Sequence, residues 1–147
     1  MMSKSIDTWL CQINGEHFAI PTKRLRMLIE EPETISVLGS HPLFHRMLML
    51  QNQFFPLLEN NYYFSVEAEY SVAALVPYIH PETKIMNYGA LELDDAPTKI
   101  VVNDDLLISL EELDELNAKL SVAAFNYGDR KVGVLDIDNI FKQDYFG

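Results

Sequence analysis

Short apolar runs broken by two-residue polar turns recur along the chain, and the first spans residues 9–25, WLCQINGEHFAIPTKRL. Asn-Gly is the favoured hairpin turn because both central residues adopt positive φ, so the sequence predicts a hairpin around Asn14 and Gly15. Strand side chains alternate between two faces, and in this register one face is apolar. That face carries Trp9, Cys11, Phe18 and Ile20. Pro21 cannot donate to a strand ladder and marks the end of pairing.

The same alternation predicts further strands. Residues 47–59, MLMLQNQFFPLLE, favour a second hairpin, whose turn is either Gln51-Asn52 or Asn52-Gln53 because Asn tolerates the left-handed conformation. Two strands over 70–80 and 88–95 are joined across the turn signal PETK, and another strand covers 98–102. A last hairpin centres on Gly128-Asp129, with strands that are apolar on both faces and therefore predicted to be buried on both sides.

The apolar positions of residues 109–120, SLEELDELNAKL, recur with a different period. Their leucines recur at helical spacing, and Ser109 with Glu112 forms a capping box, so we predict a helix. Shorter helical turns are predicted at 41–45 and after Asp138, and residues 60–70 are typical of a linker. The hairpins share a loose plan, which hints at internal repetition. Many short strands with one longer helix indicate barrels or a sandwich.

Composition narrows the function. A chain of 147 residues with 48% hydrophobic residues is the length of one domain with a substantial core. Its formal charge of −11 opposes binding to nucleic acid or anionic membranes, which need a basic patch. One cysteine, no signal-peptide pattern and no long apolar run predict a reduced, cytoplasmic protein without membrane insertion.

Candidate chemistry is sparse. His41 and His45 have a spacing that places two metal ligands on one helical face, but a structural zinc site normally needs four protein ligands, so surface histidines are the favoured interpretation. No nucleophile elbow, dinucleotide fingerprint or phosphate loop is present. Cys11 belongs to an apolar face, where burial makes thiols inert. The basic cluster Lys23 to Arg26 is either a solvated strand end or a surface that steers an acidic partner.

Three motifs in this order and spacing resemble the CheW family of chemotaxis coupling proteins. The first hairpin matches the family's G-x-x-[YF]-A-[IL]-P, the second its N-L-R-G-x-x-[LI]-P-[VL]-[VI]-D, and the last strand its L-L-L-D-x-x-x-[LIF]. The matching residues are Gly15, Phe18, Ala19, Ile20, Pro21, Leu50, Pro56, Leu57, Leu58, Glu59, Val134, Leu135, Asp136 and Ile140. The resemblance covers nearly the whole chain.

The resemblance implies a mainly β fold of two intertwined five-stranded barrels with one or two short helices. It implies one CheW-like domain over 1–147, with 22–65 forming most of the first barrel and 1–21 plus 66–147 contributing to the second barrel and to the seam between them. It also implies no catalysis. Since the residues offer no metal-ligand set and no cofactor-binding motif, we predict no metal and no cofactor.

In the family, the protein bridges the cytoplasmic tip of a chemoreceptor and the regulatory domain of a CheA-type histidine kinase, in flagellar or in type IV pilus (twitching) pathways. The receptor docks in a groove near the seam. The positions of this chain that the resemblance places there are Leu25, Leu28, Met49, Leu50, Gln51 and Asn52. Buried packing is the alternative role for Leu25 and Leu28, since buried leucines are common and exposed apolar grooves are rare.

The chain departs from the family at charged positions. The motif arginine falls on Gln51, its glycine on Asn52 and its asparagine on Met49, while the glutamate of an earlier V-x-E motif falls on Met27. Gln removes a positive charge and a bidentate donor. Three hypotheses follow: a coupling adaptor, a divergent paralogue that binds another regulatory protein, or a small β-barrel enzyme or ligand binder. The missing catalytic motifs disfavour the third.

Overall fold

The computed structural model describes residues 5–13, 15–36, 46–58 and 72–141. These residues form twelve strands in two six-stranded sheets, with two short helices. Sheet A contains β1 (Ser5–Ile13), β2 (Glu16–Pro21), β9 (Thr98–Asn103), β10 (Leu107–Ile108), β11 (Ser121–Tyr127) and β12 (Arg130–Leu135). Sheet B contains β3 (Met27–Glu30), β4 (Glu33–Ser36), β5 (Arg46–Leu50), β6 (Gln53–Leu58), β7 (Val72–Ile79) and β8 (Met86–Leu93). The helices are α1 (Glu115–Lys119) and α2 (Ile137–Phe141).

The two sheets have the same arrangement of paired strands, which the chain follows in a circularly permuted order. Their strand orders are β10-β11-β12-β2-β1-β9 and β3-β7-β8-β6-β5-β4. In each sheet two hairpins meet through one parallel pair, β12 with β2 in sheet A and β6 with β8 in sheet B, and the other described pairs are antiparallel. The internal repetition hinted at by the sequence is therefore present in the fold.

Buried side chains form three cores. Sheet A encloses one around Ala19, Ile100, Val102, Phe125 and Val132, and sheet B encloses another around Leu48, Leu57, Ala73, Leu75 and Ala90. The third and largest core fills the seam between the sheets. It contains Cys11, Ile13, Phe18, Ile20, Leu58, Ala74, Val76, Tyr78, Leu91, Leu93, Leu135, Ile137, Ile140 and Phe141.

Strands at the seam contribute alternate residues to two cores. In β7, Ala73 and Leu75 point into the sheet B core, whereas Ala74, Val76 and Tyr78 point into the seam core. Period-two alternation therefore buries both faces of the strand. This explains why residues 70–80 are almost continuously apolar.

Both sequence-predicted hairpins at the N-terminal half are present. In the first, Trp9 pairs with Ile20 and Cys11 with Phe18, in the predicted register, and all four side chains pack in or against the seam core. In the second, Leu50 pairs with Gln53, so the turn is Gln51-Asn52 rather than Asn52-Gln53.

The expected fold class is confirmed: the chain is mainly β, with two curled sheets and only short helices within the described residues. Each sheet has six strands where the resemblance implies five. Four of the six strands of sheet B, β3 to β6, lie within residues 22–65. Strands β7 and β8 belong to sheet B with β3 to β6, because β7 pairs with β3 and β8 pairs with β6.

The predicted helix over 109–120 is wrong in extent. The Ser109 hydroxyl accepts a hydrogen bond from the Glu111 amide at 3.3 Å, and Leu110–Glu112 make one 3₁₀ turn before the backbone extends at Leu113. The α-helix begins only at Glu115. Leu113 is buried beside Gly133 of β12, so tertiary packing of this leucine overrides the local helical pattern. The turn predicted at 41–45 lies outside the described residues.

Candidate functional site

The two edge strands of sheet B meet at one corner. Only Glu31 and Pro32 separate the end of β3 from the start of β4. Three trans peptide steps of about 3.8 Å hold the Cα atoms of Glu30 and Glu33 within about 11 Å. Since β3 and β4 are the outermost strands of the six, this short link brings the two edges of the sheet together.

The β5–β6 turn lies at the same corner. Glu33 of β4 pairs with Met49 of β5, and the turn follows one residue later. Gln51 and Asn52 have φ values of 50° and 64°, the left-handed pair of a two-residue hairpin turn. Both side chains are exposed. At the position of the family's arginine, the chain therefore presents the uncharged amide of Gln51 to solvent.

The other predicted site residues differ in exposure. Leu28 of β3 is 39% exposed and lies on the outer face, because its neighbour Ile29 points into the sheet B core. Leu25 is half-buried against the seam core, and Leu50 packs against the sheet B core. Leu28 thus lies two residues before the corner that residues 49–52 adjoin, whereas Leu25 precedes β3 and packs at the seam, and Leu50 points inwards.

An apolar patch on the outer face of sheet B adjoins this turn. Cross-strand pairing sets Glu33, Met49 and Phe54 in one row, and Ile35, Met47 and Pro56 in the next. We define the β5–β6 patch as Ile35, Met47, Met49 and Phe54. Phe54 is 51% exposed and Ile35 38% exposed, whereas the two methionines are half-buried between them. Methionine side chains make such a surface adaptable to different partners.

The patch continues into a shallow cavity of about 410 Å³ between β6 and β8. These strands are paired only at Leu57–Leu58 with Ala90–Leu91, so they diverge toward their N-terminal ends. The cavity is lined by Met47, Gln53, Phe54, Phe55, Pro56, Tyr78, Met86, Asn87 and Tyr88. Its mixture of aromatic, thioether and amide groups suits an apolar side chain with one polar atom.

Acidic side chains border the apolar surface. Glu30, Glu31 and Glu33 are all exposed at the corner beside the turn. In a chain of formal charge −11, this border favours a partner with basic residues around an apolar contact.

The described residues offer little for bond-making chemistry. Burial raises the pKa of the Cys11 thiol to about 12, which makes it a poor nucleophile. Within the described ranges, His, Cys, Asp and Glu form no cluster of three or more that is able to hold a metal ion, and His41 and His45 lie outside them. No helix in those ranges has the length and apolar character needed to cross a membrane.

The basic cluster is not uniformly free to meet a partner. Lys23 is exposed, but the Arg24 guanidinium donates to the carbonyl of Pro77 at 2.9 Å and lies 2.8 Å from the Asp138 carboxylate. Arg24 therefore serves an internal contact, whereas Lys23 and Arg26 are exposed.

Sequence reasoning missed Ile35 and Phe54. The signal was present in the second hairpin, since a turn at Gln51-Asn52 sets Phe54 directly opposite Met49 on one face. Because the sequence allows two positions for this turn, it does not fix the pairing of Phe54 with Met49. Ile35 is exposed because no other described element covers that face of β4. A local sequence pattern carries no information about such coverage.

Comparison with known proteins identifies a solved structure with the same architecture. No family model matches the chain, and no curated protein matches it either. Among solved structures, the scaffolding protein TtCheW from Thermoanaerobacter tengcongensis superposes with a TM-score of 0.76, covering 96% of this chain and 90% of that chain at 8% sequence identity. The chain has the CheW fold. The resemblance found in the sequence is therefore confirmed for the fold, and the low identity marks a divergent example of it.

The fold accounts for the apolar motif residues. Phe18, Ala19, Ile20, Leu57, Leu58 and Leu135 are buried, so they are the residues that the architecture requires. Met27 and Gln51 are exposed, so packing does not fix their identities.

Proposed function

We propose that this chain is a non-catalytic, cytoplasmic adaptor of a bacterial chemosensory pathway, which couples chemoreceptors to a CheA-type histidine kinase. One observation carries the proposal: nearly the whole chain shares its fold with a scaffolding protein. The exposed apolar surface at the corner of sheet B supports it, because large exposed apolar patches mark interaction sites.

The proposed mechanism is geometric. The two sheets share a large seam core, and in the proposed mechanism this core keeps partners on different faces in a fixed relative position. Each interface is expected to be weak alone, and simultaneous engagement in an array strengthens the assembly through effective concentration.

Calorimetry with the full chain tests this. The titrants are the kinase regulatory domain and a receptor cytoplasmic tip from the same organism, first singly and then together. We expect measurable binding to each and tighter binding when both are present. Kinases from flagellar and pilus gene clusters, tested side by side, decide which pathway is served.

Substitutions locate the surface. Phe54→Ala should weaken binding by roughly tenfold, the effect of truncating a central apolar anchor. Val122→Ala is the control, since Val122 of sheet A is 59% exposed, close to the 51% of Phe54. Absence of heat with kinase and receptor alike would remove the proposal as stated.

A second candidate keeps the fold and changes the partner. Gln51 presents an uncharged side chain where the family has arginine, and Met27 presents a thioether where it has glutamate. These exchanges favour a divergent paralogue that binds another regulatory protein, such as a response regulator or a pilus regulator. Gain of receptor binding on Gln51→Arg supports this candidate, and unchanged partner preference counts against it.

A further inference from the structure

The connector between the two sheets, residues 22–26, is fastened to β7. The Arg24 guanidinium donates to the carbonyl of Pro77 at 2.9 Å, and the backbone amide of Arg26 donates to the carbonyl of Leu75 at 2.8 Å. Both acceptors lie on one strand, two residues apart, so they fix the direction in which the connector runs.

The carboxylate of Asp138 links this connector to the C-terminal helix. Its Oδ1 atom accepts from the Arg24 guanidinium at 2.8 Å and from the backbone amide of Ile79 at 3.0 Å. One oxygen therefore joins α2, the end of β7 and the connector. Charge-assisted hydrogen bonds of this kind are about twice as strong as neutral ones.

Apolar packing holds Asp138 in position. Ile137, Ile140 and Phe141 of α2 are buried in the seam core, and the ring of Phe141 stacks on Tyr78 with centroids 5.4 Å apart. Because these neighbours anchor the helix, the position of the Asp138 carboxylate at the rim of the seam is fixed.

The connector leads directly to the predicted partner-binding leucines. Leu25 lies between the two fastened arginines and packs on the seam core, and Leu28 follows three residues later on β3. As an edge strand, β3 pairs only with β7 among the described strands. Its pairing with β7 begins at Met27, directly after the Arg26 contact. The attachment of the connector therefore helps to set the register of β3 against β7.

We infer that Arg24 and Asp138 are positioning residues: together with β7 they form a clamp that sets Leu25 and Leu28 for partner binding. The positioning role rests on the proposed adaptor function, whereas the clamp itself does not. An acidic partner is then not steered by Arg24, because the guanidinium is already engaged.

Amide hydrogen exchange of the full chain tests the clamp without a partner. In Asp138→Ala we expect the amides of Ile79 and Arg26 to exchange about tenfold faster, the effect of losing a charge-assisted bond. Amides of β11 and β12 should be unaffected. Asp138→Asn keeps an acceptor for Ile79, so it should preserve that amide and release only Arg26. If Asp138→Ala does not fold, Asp138→Asn and Arg24→Gln carry the test.

Lys23→Gln and Asp129→Asn are the matched controls, since each removes an exposed charge of the same sign as Arg24 or Asp138. Neither should alter exchange at Arg26 or Ile79. Unchanged protection of both amides in Asp138→Ala overturns the clamp.

Affinity for the receptor tip tests the positioning role. Arg24→Gln and Asp138→Ala should each weaken binding by about fivefold, and the double variant by no more than either alone, since residues acting as one unit are not additive. Full additivity, or faster exchange with unchanged affinity, overturns positioning. If the unsubstituted chain binds nothing while the exchange effect persists, the proposed function fails and the clamp remains a purely structural link.

Discussion

Adding one methyl group to Gly89 should disrupt the contact between β8 and the C-terminal helix. A Cβ at this position would lie 2.5 Å from Cε1 of Phe141 and 2.6 Å from Cδ1 and Cζ. Carbon atoms in contact normally lie about 3.5–4.0 Å apart, so the whole ring must move by about 1 Å. Phe141 is only 1% exposed and stacks on Tyr78, which leaves the ring no open space to enter.

The magnitude follows from known packing costs. Gly89→Ala overpacks a closed site and should lower the free energy of unfolding by about 2 kcal/mol, within the usual range of about 1–3 kcal/mol. Phe141→Ala alone should cost about 3–5 kcal/mol through the cavity it leaves. In the double variant the new methyl group enters that cavity. We therefore expect its cost to equal that of Phe141→Ala, with a coupling of about 2 kcal/mol.

Urea denaturation followed by Trp9 fluorescence measures these values, because Trp9 packs against the same seam core. Val122→Ile is the control: it adds one methylene at an exposed strand position and should stay within about 0.5 kcal/mol of the parent. A Gly89→Ala variant as stable as the parent, or costs that simply add in the double variant, would refute the reasoning.

Three further predictions concern single side chains. Gln51→Asn should raise the free energy of unfolding by about 0.5–1 kcal/mol, because Asn adopts the observed φ of 50° at lower cost; Gln53→Asn should give no gain, and equal gains from both would contradict this. Cys11, with its pKa raised to about 12 by burial, should resist iodoacetamide at pH 8 until the chain is unfolded in urea, and native-state alkylation at the rate of a free thiol would contradict this. Burial and the charge of Arg130 lower the pKa of His17, so its contribution to stability is complete above its unfolded pKa of about 6.5 and is lost as pH falls. The parent should therefore lose more stability than His17→Gln between pH 7 and pH 5 in parallel denaturations, and equal losses would contradict the assignment.

Turn chemistry explains why one hairpin was fully predictable and the other was not. Asn14-Gly15 fits only one two-residue turn, and the apolar face agrees with it. In the second hairpin, moving the turn from Gln51-Asn52 to Asn52-Gln53 slips the strands by two residues. A slip of two keeps every side chain on its face, so Leu48 and Leu50 point inwards in either register. The hydrophobic pattern therefore could not choose.

Long-range pairing limited the prediction of domains. Both faces of β7 are buried, one in the sheet B core and one in the seam core, so alternation gave no indication of its sheet. The parallel pair of β6 and β8 joins residues about thirty positions apart, and the sequence carries no local mark of it. The sequence therefore does not indicate that β7 and β8 join β3 to β6 in one sheet.

The turn at the candidate site was predictable from the sequence, whereas the exposure of the neighbouring side chains was not. The sequence motif placed residues 49–52 at a turn, and the structure agrees. Whether Leu28 is exposed and Leu50 is buried depends on which elements cover each face. That information lies in the tertiary fold. The exposure of Phe54 was not predicted for the same reason.

Sheet A has a consequence for synthesis of the chain. It begins with the N-terminal hairpin and is completed only after all of sheet B, and the side chains of Ser5 and Asn103 hydrogen-bond across 98 positions. At about 5–20 residues per second, a ribosome takes about 5–20 s to cover that distance. During that interval the edge of β1 that pairs with β9 has no partner strand, and we expect chaperones to bind this unpaired edge until β9 is made.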